Sequence, residues 1–128
     1  MEKKIFLVAS IMGLIAVVFG ALATHGLKPL LSDTSFDSFQ VAIRYQMYHA
    51  FFLFVIGLMP QLQPNQKKRI LLVTLFGVLL FSGSIYLLST NVLTTFDLSF
   101  LGPITPTGGL LLILAWVMPV FFLLKYKS

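Results

Sequence analysis

The chain has 128 residues, of which 58% are hydrophobic and only 10% are charged. A soluble domain carries charge on roughly a quarter of its residues and rarely exposes large apolar patches, so this composition predicts a lipid-embedded protein. The net charge of +5 comes from short basic clusters beside apolar segments, which favours a membrane over a nucleic-acid partner.

Four apolar segments follow one another along the chain, and each is long enough to cross a bilayer as a helix of about 20 residues. Backbone groups in hydrocarbon must bond to one another, and no two-residue alternation typical of a barrel is present. The sequence therefore predicts one all-α domain, a membrane bundle of four transmembrane helices at about residues 5–24, 41–59, 70–90 and 104–124. Thr34 or Ser35 is predicted to cap the second helix, with Asp37 in its first turn.

The distribution of basic residues predicts the orientation of these helices. Four crossings place seven of the nine Lys and Arg residues on one side of the membrane: Lys3, Lys4, Lys67, Lys68, Arg69, Lys125 and Lys127. Because basic residues in short loops favour the cytoplasm, we expect both termini on the cytoplasmic side of the cell membrane. Trp116 and Tyr126 are expected to anchor the last helix near that interface. Cleavage of the first segment as a signal peptide is the alternative.

Small residues form a stripe along the first helix, at spacings of four, three and four: Ala9, Gly13, Ala16 and Gly20. Such residues let transmembrane helices approach closely. The stripe predicts helix packing inside the bundle, and a homo-oligomer interface is the alternative.

Polar residues are concentrated in the half of the predicted bundle that faces away from the cytoplasm. His49 lies about 12 Å into the membrane, counted from the start of its span. One interpretation is structural: Arg44 snorkels to the interface, and a neutral His49 bonds to hydroxyl groups. In the other, the cluster lines a binding cavity. The candidate ligand-binding residues are His25, Arg44, Tyr45, Tyr48, His49, Ser82, Ser84, Tyr86 and Thr105.

The same residues offer little for catalysis or cofactor binding. Every carboxylate lies at a membrane edge, so no acid–base pair is available to His49. Two histidines without a thiolate or nearby carboxylate make a weak metal site. We therefore predict no catalytic residue, metal or cofactor. The leading hypothesis is a non-enzymatic protein that binds a small ligand, lipid headgroup or partner. A small oligomeric transporter or channel is the alternative, and an intramembrane enzyme ranks last.

Four short motifs occur in an order that is similar to one known family. They are residues 20–28 (GALATHGLK), 45–50 (YQMYHA), 81–86 (FSGSIY) and 104–109 (ITPTGG). The chain resembles the domain of unknown function 423, which includes transmembrane protein 256. The resemblance implies a four-helix, multi-pass membrane protein and brings no activity or catalytic residue. Ala23 and Thr24 replace the family's usual glycine and alanine.

Overall fold

The computed structural model describes residues 2–127, and these form four long helices. Two connections are short, and the third, residues 90–103, contains two 3₁₀ turns, Asn91–Leu93 and Ser99–Leu101. The helices are α1 (Glu2–Leu22), α2 (Asp33–Leu58), α3 (Pro64–Ser89) and α4 (Ile104–Lys125). Each is long and apolar enough to cross a membrane, and no strand occurs within residues 2–127. The predicted all-α membrane fold is confirmed.

The C-terminal end of α1 continues into a segment that departs from regular α-helix geometry. Residues Ala23–Leu27 form a π-helical turn, in which the Lys28 N–H donates to the Ala23 carbonyl five residues earlier (2.9 Å). The wider turn buries both Ala23 and Leu27 against neighbouring apolar side chains. Single π-turns within helices are often found at functional sites. Here the turn carries His25, the histidine of the first motif.

The second helix begins eight residues before its predicted span. Ser32 is its cap, since the Ser32 hydroxyl accepts from the Ser35 N–H (3.1 Å). The prediction of Thr34 or Ser35 as the cap, with Asp37 in the first turn, was wrong. Asp33 occupies the first turn instead. The polar stretch before Val41 thus extends α2 by about two turns, because its own hydroxyl and carboxylate groups stabilise a helix start.

The helices pack antiparallel in chain order. The backbone of α1 packs against α2, that of α2 against α3, and that of α3 against α4. No Cα atom of α4 comes within 8 Å of one in α1 or α2, so α4 lies on the side of a three-helix core. Both described chain ends and the α2–α3 connection lie at one end of the bundle. We call the opposite end, formed by residues 28–32 and 90–103, the far end.

Backbone contact between α3 and α4 depends on glycine. A Cβ at Gly108 would lie 2.7 Å from the Leu80 carbonyl carbon and closer still to the Phe81 nitrogen. A Cβ at Gly77 would lie 2.7 Å from the Leu112 side chain. The helices therefore touch at backbone distance, as expected where small residues replace the hydrophobic driving force.

The small-residue stripe of α1 lies partly against α2. Ala9 and Ala16 are buried, and a Cβ at Gly13 would lie in ordinary contact with Ala50 and Met47, 3.9 Å away. Gly20 has no such neighbour within 4 Å. Packing inside the bundle accounts for three of the four residues, and the homo-oligomer interface stays a hypothesis.

A buried lysine joins three elements at the end of the bundle that holds the termini. The Lys67 ammonium donates to the Gly57 carbonyl (2.9 Å) near the end of α2, and to the Glu2 carboxylate (3.0 Å) of α1. Lys67 is only 3% exposed, whereas Lys68 and Arg69 are exposed. One member of the predicted orientation cluster therefore also ties α1 and α2 to the start of α3.

Replacing Gly108 by alanine should destabilise the protein strongly. The added methyl would overlap α3 backbone that cannot move without displacing the whole helix, at a cost of about 1–3 kcal/mol or more. Thermal unfolding in detergent would measure the loss. Gly83→Ala is the matched control, because its added methyl would meet no atom of residues 2–127 within 4 Å beyond its chain neighbours and its own turn of helix. Equal melting temperatures for the two variants would contradict the packing described.

Candidate functional site

His49 and Trp116 form a hydrogen-bonded pair across the space between α2 and α4. The Trp116 Nε1–H donates to His49 Nε2 (3.1 Å), and His49 Nδ1 lies 2.6 Å from the Tyr45 carbonyl oxygen. An indole N–H can only donate and a carbonyl can only accept. The imidazole is therefore neutral, with its proton on Nδ1, and both of its nitrogens are engaged.

Aromatic rings surround this pair. The rings of Phe52 and Trp116 lie 4.3 Å apart between centroids, and those of Tyr45 and Phe81 lie 5.0 Å apart. His49 is 3% exposed, whereas Trp116 is about half exposed along the outer surface of the bundle. The pair is thus the point at which α4 side chains reach α2, although the two backbones stay apart.

The gap between α2 and α4 is an open apolar groove, which we call the lateral groove. Its volume is about 860 Å³, within the range of small-molecule sites. α3 forms its floor through Phe81, and α2 contributes Tyr45 and His49. α4 contributes most of the lining, along one helical face: Pro106, Gly109, Leu110, Leu112, Ile113, Trp116, Val117 and Val120.

Other predicted site residues form separate bonds that tie the helices together. The Ser82 hydroxyl donates to the Ala42 carbonyl (2.8 Å), linking α3 to α2. The Ser84 hydroxyl donates to the Phe81 carbonyl (3.0 Å) and lies 2.6 Å from that of Thr105, linking α3 to α4. These contacts give the serines and Thr105 a definite role in helix packing.

Gln46 and Tyr86 belong to a series of hydrogen bonds that reaches α1. The Tyr86 hydroxyl donates to Gln46 Oε1 (2.7 Å), and Gln46 Nε2 donates to the Met12 carbonyl (2.8 Å). Gln46 is buried, and Tyr86 packs edge-on against Phe19, with ring centroids 4.8 Å apart. The series joins α1, α2 and α3 through one buried side-chain amide.

Three predicted residues lie on the surface, apart from the lateral groove. Arg44 and Tyr48 belong to an exposed stripe of α2 that continues through Phe51, Val55 and Leu58. His25 is exposed on the π-helical turn. The nine predicted residues thus divide among the lateral groove, the interhelical bonds and the surface.

The connection between α3 and α4 carries one charged group, Asp97, which lies apart from the lateral groove. The Asp97 carboxylate accepts from the Ser99 backbone N–H (3.0 Å), and this hydrogen bond lowers the pKa of that carboxyl. Within residues 2–127, no three His, Asp or Glu side chains converge as metal ligands would.

Comparison with known proteins shows what the chain is related to. The profile of the family described as "Protein of unknown function (DUF423)" matches residues 19–109. The chain belongs to this family. It is 36% identical to a UPF0382 membrane protein of Staphylococcus epidermidis, over 98% of the chain and 99% of that relative. It is 35% identical to the UPF0382 membrane protein YwdK of Bacillus subtilis, over 96% and 98% of the two chains. No solved structure matches.

Membership confirms the resemblance of the four motifs and that this is a membrane protein. The region that matches the DUF423 profile contains every predicted site residue but ends before Trp116. The Trp116 indole N–H donates to His49, and the expectation that Trp116 and Tyr126 anchor the helix at the interface stays a prediction. The contact between His49 and Trp116 is visible only in the three-dimensional structure, where α2 and α4 come together. The residues beside either one in the sequence do not indicate it.

The tautomer of His49 can be measured directly. At pH 7.5, ¹⁵N NMR of the protein in detergent should show a protonated Nδ1 and a bare Nε2, since Trp116 can only donate. Trp116→Phe should change the Nε2 shift and leave that of the exposed His25 unaltered. A proton on Nε2 in the wild type would contradict the assigned bond.

Proposed function

We propose that this DUF423 protein is a non-enzymatic membrane protein that binds the apolar chain of a membrane amphiphile in the lateral groove. The observation that carries the proposal is the groove itself: about 860 Å³ of apolar space between two helices whose backbones do not meet. In a bilayer such a space opens sideways to hydrocarbon. Water would find few partners there, so an acyl chain or another apolar group is the natural occupant.

The length of the groove suits a chain that runs along the helices. Its α4 lining extends from Pro106 to Val120, which is about 21 Å along the helix axis. One leaflet of hydrocarbon is about 15 Å deep, half of the bilayer core of about 30 Å. The groove is therefore long enough to hold a lipid chain that is aligned with α4 and crosses the full depth of one leaflet.

The chemistry of the lining supports binding rather than catalysis. Both His49 nitrogens are already bonded, and the Ser82 and Ser84 hydroxyls bond to carbonyls or to Thr105. A general base needs a free nitrogen within reach of a reacting proton. The His49–Trp116 pair instead gives the groove a rigid polar point between apolar walls.

In this proposal the predicted site residues have different roles. Tyr45 and His49 contact the chain, and Ser82, Ser84, Tyr86 and Thr105 fix the helices that form the walls. Arg44 and Tyr48 lie on the exposed stripe of α2, from which a long cationic side chain can reach a lipid headgroup.

A large side chain placed in the lateral groove should displace bound acyl chains. Val117→Trp places an indole in the groove, whereas Val55→Trp adds the same side chain on the exposed stripe of α2. With a photoreactive fatty acid in nanodiscs, wild type and V55W should crosslink mainly along residues 106–120, and V117W should lose most of this labelling. Labelling spread evenly over all lipid-facing surfaces would contradict the proposal, and proton or solute flux in liposomes would favour transport instead.

We also propose that both termini lie in the cytoplasm, which places the far end of the bundle outside. Seven of the nine basic residues at one end support this orientation. Since the chain has no cysteine, single cysteines can report it cleanly. In intact cells, Thr95→Cys should react with an impermeant maleimide and Asn65→Cys should not. The reverse pattern would contradict the orientation.

A further inference from the structure

We propose that a second cavity, at the far end of the bundle, binds the uncharged hydroxyl-bearing head of the amphiphile whose chain fills the lateral groove. This inference rests on the proposed function and adds the class of ligand to it. The cavity, which we call the far-end pocket, lies where α2 begins, α3 ends and α4 begins.

The far-end pocket is small and rich in hydroxyl groups. Its volume is about 240 Å³, far more than the 10–15 Å³ or so that a single water requires. Two aliphatic side chains, Ile85 and Leu88, line it together with five hydroxyl-bearing residues: Thr34, Ser35, Ser38, Ser89 and Thr105. Its size and lining fit a polar group of several atoms.

Ser89 is the residue that points to a ligand. It is 6% exposed, and its Oγ has no hydrogen-bond partner among residues 2–127. A buried hydroxyl without a partner is costly, and native structures rarely leave one so. The Ser82 and Ser84 hydroxyls of the same helix each have a partner. The Thr74 Oγ1 of α3 also has none among residues 2–127, but Thr74 is buried in the packed core and does not line the far-end pocket, whereas Ser89 does. A hydroxyl or carbonyl group in the pocket would supply the partner that Ser89 lacks.

The charge of the pocket restricts the kind of head. None of its lining residues is ionisable, so it offers no cation for a phosphate and no carboxylate for an ammonium group. Asp33 and Asp37, at the start of α2, add negative charge to the same end of the bundle, whereas the cations of that end, Lys28 and Arg44, are exposed and do not line the pocket. These features favour an uncharged head with hydroxyl groups, such as a glycerol ester, over a phospholipid.

The far-end pocket and the lateral groove lie on corresponding faces of the same three helices. Ser38 of the pocket and Tyr45 of the groove are seven residues apart on α2, which places them on one face about 10 Å apart. The same spacing relates Leu88 to Phe81 on α3 and Thr105 to Leu112 on α4. Three helices thus align the two cavities, so one molecule can place its head in the pocket and its chain in the groove.

The test compares three ligands on the full-length protein in detergent. Native mass spectrometry would measure binding of glycerol monooleate, of methyl oleate, which lacks hydroxyls, and of oleoyl phosphatidylglycerol. Wild type should prefer glycerol monooleate over methyl oleate by about fivefold or more, the value of one hydrogen bond. Ser89→Ala should lose that preference, and Ser10→Ala, at an exposed serine of α1, should keep it.

A stability measurement separates a ligand contact from a structural one. Because the Ser89 hydroxyl makes no bond within residues 2–127, ligand-free S89A should melt no lower than the wild type. Added glycerol monooleate should raise the melting temperature of the wild type more than that of S89A. A lower melting temperature for ligand-free S89A would overturn the ligand role of Ser89.

The remaining outcomes distinguish this inference from the proposed function. Equal binding of glycerol monooleate and methyl oleate, both lost in V117W, would overturn the head site and leave the groove proposal intact. Preference for phosphatidylglycerol would also overturn the uncharged head. If neither glycerol monooleate nor methyl oleate binds, or if V117W binds these two ligands as the wild type does, the groove proposal itself fails.

Discussion

Hydrocarbon offers no hydrogen-bond partners, and this constraint governs where most buried polar side chains of the bundle lie. Buried polar groups in the spans bond to another helix, to their own helix or to a bound molecule, with the Thr74 hydroxyl as an exception among residues 2–127. Gln46 meets the constraint by joining Met12 of α1 to Tyr86 of α3, and Ser82 meets it at the Ala42 carbonyl. Such bonds hold together helices that lipid, as apolar as their own side chains, does not drive together.

The same constraint separates structural polar groups from those available to a ligand. Polar side chains with internal partners hold α1, α2 and α3 at fixed distances, and Gly108 brings α4 onto α3 at backbone distance. Because the α4 backbone meets only that of α3, its other face stands away from the α2 backbone and leaves the lateral groove. The groove is therefore a consequence of how α4 is attached, and His49–Trp116 is the bond that spans it.

Sequence patterns predicted the parts of this structure that depend on composition and local spacing. Apolar length gave four helices, and the stripe of Ala9, Gly13 and Ala16 gave an α1 face that packs on α2. The start of α2 was misplaced because a transmembrane span is bounded by hydrophobicity, whereas a helix is bounded by its cap at Ser32.

The candidate site was harder to predict, because polar residues on four helices can be paired in many ways. The sequence placed His49 and Ser84 in the same half of the bundle but could not show that one bonds to Trp116 and the other lies against Thr105. Nor could it show that Arg44 shares the exposed stripe with Val55. These pairings depend on the rotation of each helix about its axis, which long-range packing determines and local spacing does not.

In the proposed mode of binding, the position of α4 would couple ligand binding to the packing of the helices. A ligand in the lateral groove would contact α2, α3 and α4 together and would cover an α4 face that otherwise meets only lipid. The chains of bilayer lipids can also cover that face. A specific ligand therefore needs an additional interaction that the surrounding lipids do not make. A hydroxyl head beside Ser89 would provide it, because the unpartnered Oγ gains a bond that a bare hydrocarbon chain cannot supply. Selectivity in this protein would then come from one satisfied hydroxyl near an apolar groove, with the apolar walls supplying area but little discrimination.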